Sequence, residues 1–150
     1  MASAVDRIES AVITGLHHIG VVVRDIAEAA PGYERKFGYA PRTPIIHDPV
    51  QTAFVQFFTR PGDRVYLELV APDGEHSKLA NALGKGGGLN HLCYATDDID
   101  GDCRALRSQQ MLQLAVPVAA AAFPGRRIAW MMGADRMPIE LVEQGGPDDL

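Results

Sequence analysis

Eight residues, Asp63-Arg64-Val65-Tyr66-Leu67-Glu68-Leu69-Val70, return 72 positions later as Asp135-Arg136-Met137-Pro138-Ile139-Glu140-Leu141-Val142, with five of the eight identical. A second pair repeats at nearly the same offset. Gly15-Leu16-His17-His18-Ile19 and Gly88-Leu89-Asn90-His91-Leu92 lie 73 positions apart, and each precedes a β-rich run and then Arg24-Asp25-Ile26 or Asp97-Asp98-Ile99. Two separate matches at nearly one offset indicate a duplicated module of about 70 residues. A chain built this way is constrained to fold as two like halves.

Each half carries the same order of elements. In the first, residues 16–23 alternate and are β-branched, which predicts a strand. Asp25 is a fitting N-cap for a helix over 26–37, and Gly38 ends it. Pro31 lies inside that pattern and predicts a kink or a late start. Three strands are expected next, at 39–47, 51–59 and 64–70, with Pro61-Gly62 marking the last hairpin. Residues 72–87 form the linker, with one short helix near 78–83. The second half repeats the plan: strand 89–96, helix 99–111, then strands near 113–118, 127–132 and 137–142. The expected class is α+β, with βαβββ twice and eight strands in all. The expected organisation is a flexible N-terminus at 1–14, one domain at 15–144 made of modules 15–71 and 88–144, and a tail at 145–150.

Several functional classes fall away on composition. The net charge of −5 repels phosphate backbones and argues against nucleic acid as a partner. No apolar run approaches the length of a membrane span. The first dozen residues lack a basic flank followed by an apolar core, so no secretory signal is read there. Cys93 and Cys103 are too few for a disulfide framework and read as reduced thiols of a cytoplasmic protein. The glycine-rich run 84–88 lacks the Gly-Lys-Ser/Thr ending of a phosphate loop and reads as linker.

Strand parity brings the chemistry together. Alternate side chains face opposite ways. Ile19, Val21 and Val23 therefore form the face that packs under the first helix, and His18 takes the other. Leu67 and Leu69 place Glu68 away from the helix. Ile139 and Leu141 do the same for Glu140, as do Leu92 and Tyr94 for His91. Each module thus presents one His and one Glu on its non-helix face. A lone strand histidine is ordinarily a core or surface residue, but here both residue types recur at matched positions. Pairing the modules about an approximate twofold axis would gather two imidazoles and two carboxylates. That donor set suits one divalent cation such as Zn²⁺, Ni²⁺, Co²⁺ or Mn²⁺.

These runs resemble the vicinal oxygen chelate superfamily, which includes glyoxalase I, methylmalonyl-CoA epimerase, extradiol dioxygenases and bleomycin-resistance proteins. The motifs 16–20, 67–72, 88–92 with 97–100, and 139–143 are most similar to those of methylmalonyl-CoA epimerases. The resemblance spans about residues 15–144. It implies paired modules forming an open, U-shaped sheet around one metal, with His18, Glu68, His91 and Glu140 as ligands. His18 is preferred to His17 because it aligns with His91, and because parity puts His17 on the helix side. The implied chemistry is removal and return of a proton next to a thioester carbonyl, through a metal-stabilised enolate. Glu140 is the implied base and a CoA thioester the implied substrate; a homodimer is likewise implied. Some epimerases carry a second glutamate on the third strand of the first module, whereas residues 51–59 contain no acid.

Gln51 is expected to orient a substrate oxygen, Phe54 to supply apolar cavity wall, and Arg127 to pair with a substrate carboxylate or phosphate. Two other readings of the chain are a glyoxalase I-like lyase and a non-catalytic drug-binding resistance protein. Four intact ligands weigh against the latter.

Overall fold

The computed structural model describes residues 13–150. Most of the expected flexible N-terminus, residues 1–12, lies outside the described residues. Strand β1 (Ile13–Val22) leads into helix α1 (Ile26–Phe37), which is followed by β2 (Ala40–Pro41), β3 (Ile46–Asp48), β4 (Ala53–Thr59) and β5 (Tyr66–Pro72). A five-residue helix α2 (Ala80–Gly84) separates these from the second half. That half comprises β6 (Gly88–Thr96), α3 (Ile99–Ser108), β7 (Leu112–Gln113), β8 (Val118–Ala119), β9 (Arg127–Met132) and β10 (Pro138–Glu143).

The two long helices start by the same device. The Asp25 carboxylate accepts from the Glu28 amide at 3.0 Å, and Asp98 accepts from the Gly101 amide at 3.0 Å. Each bond satisfies one of the amides that a helix start leaves unpaired. Gly38, at φ 78°, closes α1 in the left-handed conformation that glycine adopts without steric cost. Pro31 neither delays nor splits α1. Helix α3 ends three residues sooner than its pattern suggests, because Gln110 turns left-handed at φ 71°. A glutamine there gives no warning of a helix end.

The ten strands of the described residues join one open sheet, ordered β2-β4-β5-β1-β6-β10-β9-β7, with β3 on β4 and β8 on β9. The order reads the same from either end in terms of module position. The count is ten rather than eight because the second strand of each module is broken. Pro41 and Pro44 cannot donate to a ladder. Between them the amides of Arg42 and Thr43 both turn onto the Phe57 carbonyl, at 2.8 and 3.3 Å. Pro117 interrupts the corresponding stretch between β7 and β8.

The modules meet where β1 and β6 pair antiparallel at the centre, flanked by β5 parallel to β1 and β10 parallel to β6. Two apolar clusters sit under the helices. One gathers Ile26, Ala30, Phe58, Leu67 and Leu69; the other gathers Ile99, Cys103, Met131 and Leu141. A third cluster, with Val22, Val55, Phe57, Val70, Phe123 and Val142, lies on the opposite face and spans both modules. The tail is tied to both halves, since Arg42 and Arg126 donate to the carbonyls of Asp148 and Leu150 at 2.8 and 2.5 Å.

Candidate metal centre

The four central strands β5, β1, β6 and β10 each send one ionisable side chain to a shared point on the face away from the helices. These are Glu68, His18, His91 and Glu140, all at most 5% exposed. Their apolar neighbours face the helices as alternation requires, with Leu67 and Leu69 on one side and Tyr94, Ile139 and Leu141 on the other. Two glutamates in the middle of buried strands are costly unless compensated, and here they face two imidazoles.

The four ligand atoms lie within 4.8 Å of one another. His18 Nε2 is 3.2 Å from His91 Nε2, 3.5 Å from Glu68 Oε1 and 3.7 Å from Glu140 Oε2. His91 Nε2 is 3.1 Å from Glu68 Oε1 and 3.4 Å from Glu140 Oε2. Donors about 2.1 Å from a common centre, at tetrahedral angles, lie about 3.4 Å apart. The donor set therefore fits a divalent cation in type, number, burial and spacing.

Without a cation the groups compensate each other. Burial opposes charge on His18, yet the neighbouring carboxylates of Glu68 and Glu140 raise it well above the usual imidazole range. Burial likewise opposes charge on Glu68, yet the imidazoles of His18 and His91 hold its carboxyl down at about 2. Burial pushes the Cys93 thiol up to about 12, so it sits beside the centre as a neutral thiol. Among the described residues both cysteines are free and buried.

A cavity of about 390 Å³ opens onto this centre. Glu68, His91 and Glu140 form its polar end, and Val55, Val70, Phe123, Ile128 and Trp130 supply apolar wall. Gln51 lines it; its Oε1 accepts from Trp130 Nε1 at 3.2 Å, a bond across the two modules. The Trp130 indole also meets the His91 ring edge-on, with centroids 4.8 Å apart.

Two expected substrate contacts lie elsewhere. Phe54 is 37% exposed and packs on His47, because alternation along β4 turns Ala53, Val55 and Phe57 to the cavity and Phe54 away. Arg127 is committed to the other face of the sheet. Its guanidinium donates to Asp100 Oδ2 at 2.9 Å and to Glu143 Oε1 at 3.0 Å, and it does not line the cavity. Arg127→Gln is accordingly expected to leave turnover within about twofold of the wild type in a steady-state assay, since exposed ion pairs contribute little.

His17 also departs from the parity expectation. It packs on Phe57, Tyr66 and Phe123, on the cavity side with His18. A register shift between Leu16 and His18 in the β1–β6 ladder breaks the alternation at that point. Alignment of the two halves still separates ligand from neighbour, because His18 and not His17 joins the four-donor cluster that includes His91.

Sequence reasoning passed over Asp48, a carboxylate 5% exposed in the cavity wall. It accepts from the amides of Gln51 and Ala121, both at 3.1 Å, and so joins the lips of the two modules. The only signal was an Asp-Pro pair ahead of a turn. Asp48→Ala is expected to cost about 1–3 kcal/mol in urea unfolding, through the amides it leaves without partners.

Residues 17–130 match the family described as the glyoxalase/bleomycin resistance protein/dioxygenase superfamily. An ethylmalonyl-CoA/methylmalonyl-CoA epimerase of Cereibacter sphaeroides is 35% identical over 86 residues, covering 56% of this chain and 62% of the relative. Human mitochondrial methylmalonyl-CoA epimerase is 27% identical over 111 residues, covering 71% of this chain and 60% of the relative. The chain thus spans less than two thirds of the length of these curated relatives. Methylmalonyl-CoA epimerase from Mycobacterium tuberculosis superposes with a TM-score of 0.78 at 29% identity, over 91% of this chain and 92% of that one. A variant of the Streptomyces coelicolor epimerase, in complex with 2-nitronate-propionyl-CoA, gives 0.73 at 25% identity, over 89% and 99%.

Proposed function

Because the chain belongs to the glyoxalase/bleomycin resistance protein/dioxygenase superfamily, we propose that it is a divalent-metal-dependent epimerase of a small acyl-CoA thioester of the methylmalonyl-CoA type. The observation that carries this reading is the buried quartet of His18, Glu68, His91 and Glu140 at the end of a largely apolar cavity. The kinship with epimerases of such thioesters supplies the substrate class.

His18, Glu68, His91 and Glu140 would hold the cation. Bound there, it would supply electrophilic stabilisation of negative charge developing on a substrate carbonyl oxygen. The chain's own residues account for the proton. A carboxylate oxygen of Glu140 takes the proton from the carbon next to the thioester, and the electron pair of the broken C–H bond moves into the carbonyl. Return of a proton to the opposite face completes inversion. Glu68, the repeat counterpart of Glu140 on the strand that flanks the histidine strands from the other side, is ionised as it stands, so it would fill that role after taking a proton from solvent, while Glu140 releases to solvent the one it has gained. Gln51 offers its amide NH₂ to a substrate oxygen, since the Trp130 bond uses only its carbonyl. The apolar wall excludes water from the reacting carbon.

Exchange of the α-proton of methylmalonyl-CoA in heavy water tests the reading. Exchange is expected to stop on removal of metal with a chelator and to return on adding back Zn²⁺, Ni²⁺, Co²⁺ or Mn²⁺. Exchange that persists in metal-free protein, or that never occurs with any of these ions, rejects it. The reading extends to a cytoplasmic homodimer, supported by the two free thiols and by the exposed apolar Leu112 and Leu114 along the β7 edge of the sheet. Sedimentation measures the assembly.

A further inference from the structure

We infer that His17 is a positioning residue which fixes the protonation pattern of the His18 ring, and that Asn90 does the same for His91. The inference rests on the metal-centre reading above. His91 turns Nε2 to the centre, and its Nδ1 lies 2.8 Å from Asn90 Oδ1. An amide oxygen only accepts, so the His91 ring proton sits on Nδ1 and leaves the Nε2 lone pair for a cation. His18 stands in the same relation to the residue before it: its Nε2 faces the centre, and its Nδ1 lies 2.8 Å from His17 Nδ1. His17 and Asn90 are equivalent positions of the internal repeat. Two different side chains thus serve one purpose at matched places. Ligand histidines are commonly oriented through their second nitrogen, and loss of that partner weakens metal binding by about 10–100-fold.

For His18 to present a bare Nε2, its proton must lie on Nδ1, and His17 Nδ1 must accept it. The remaining proton of a neutral His17 is then on Nε2. That atom is buried, makes no well-formed hydrogen bond among the described residues although the Leu150 backbone lies near the ring, and sits in a cage of Phe57, Tyr66 and Phe123. A buried donor without a partner is destabilising. This cost has a reason if the other nitrogen is needed to hold the His18 ring. The register shift in β1 is what brings His17 onto the cavity side, where it can reach His18.

The test compares wild type, His17→Phe and His17→Asn. Phenylalanine suits the aromatic cage but accepts nothing; asparagine restores the acceptor found at position 90. Zinc affinity is measured by competition with a chromogenic chelator, with circular dichroism confirming the fold. His17→Phe is expected to bind zinc about 10–100-fold more weakly, and His17→Asn to recover most of the loss. Nitrogen-15 NMR of the metal-free wild type should show a slowly exchanging proton on His18 Nδ1, made labile by His17→Phe. Equal zinc affinity in wild type and His17→Phe overturns the inference, as does an unprotonated His18 Nδ1. A cobalt complex showing thiolate charge transfer also overturns it, because His17, His18 and Cys93 would then themselves hold the metal. If the wild type binds no zinc at all, the metal-centre reading fails, while the NMR result still decides whether His17 holds the His18 ring.

Discussion

Glu140→Gln is expected to slow α-proton exchange from methylmalonyl-CoA by about 10²–10⁴-fold, the usual contribution of a positioned general base. Glutamine keeps the size of the side chain and one oxygen, so the strand and the cavity should persist. It loses the anionic oxygen that would accept the proton. The residue is 3% exposed, which leaves bulk water poorly placed to substitute. Glu140 also belongs to the four-donor cluster, so metal content must be measured in parallel. A variant that retains its metal but not exchange assigns the loss to the base. Exchange within about tenfold of the wild type, with metal retained, would move the role of base away from Glu140. The companion variant Glu68→Gln should affect inversion more than exchange if Glu68 returns the proton. Following one enantiomer by polarimetry alongside the exchange separates the two steps.

The centre was legible in the sequence because duplication writes it twice. A single His18 or Glu68 would read as an ordinary strand residue. The recurrence of His91 and Glu140 at matched offsets converts four weak signals into one geometric statement. The first helix was legible for a related reason: Asp25 and Gly38 are local devices whose effect does not depend on distant contacts, and Asp98 proves to start the second helix in the same way. What parity missed, it missed where alternation does not hold or its phase was not fixed. A register shift carried His17 across the sheet. Prolines split the second strand of each module, Pro41 and Pro44 in the first and Pro117 in the second, turning eight strands into ten. Phe54 was placed by residue type rather than by its phase relative to Ala53 and Val55. Arg127 was read as a free cation, although its partners Asp100 and Glu143 come from another helix and another strand, which only the folded chain brings near. Asp48 lies outside both repeated motifs, and its importance comes from an amide 73 residues away.

Gly20→Ala is expected to leave the protein folded and to weaken zinc binding by at least about 10–100-fold, with turnover falling in step. Gly20 pairs with His91 across the central ladder and with Glu68 on its other side. A Cβ at position 20 would lie 2.0 Å from His91 Cε1 and 2.4 Å from Nδ1, inside the ring's own space. The backbone at Gly20 is not in the left-handed region, so the objection to alanine is the imidazole alone. A ring on a rotatable side chain can swing away more readily than two central strands can part. The ligand should therefore leave its place while the sheet remains. The repeat gives the counterpart. Position 93 corresponds to position 20, and Cys93 pairs with His18 on one side and Glu140 on the other. Each histidine of the centre thus lies over a small residue of the opposite module, and Cys93→Ala, which removes an atom instead of adding one, should keep the metal. Isothermal titration with zinc, read beside thermal melts of both variants, measures the contrast. If Gly20→Ala binds zinc as the wild type does, His91 is not held at the centre by the space that Gly20 leaves, and the packing of the two modules around the cation would have to be reassigned.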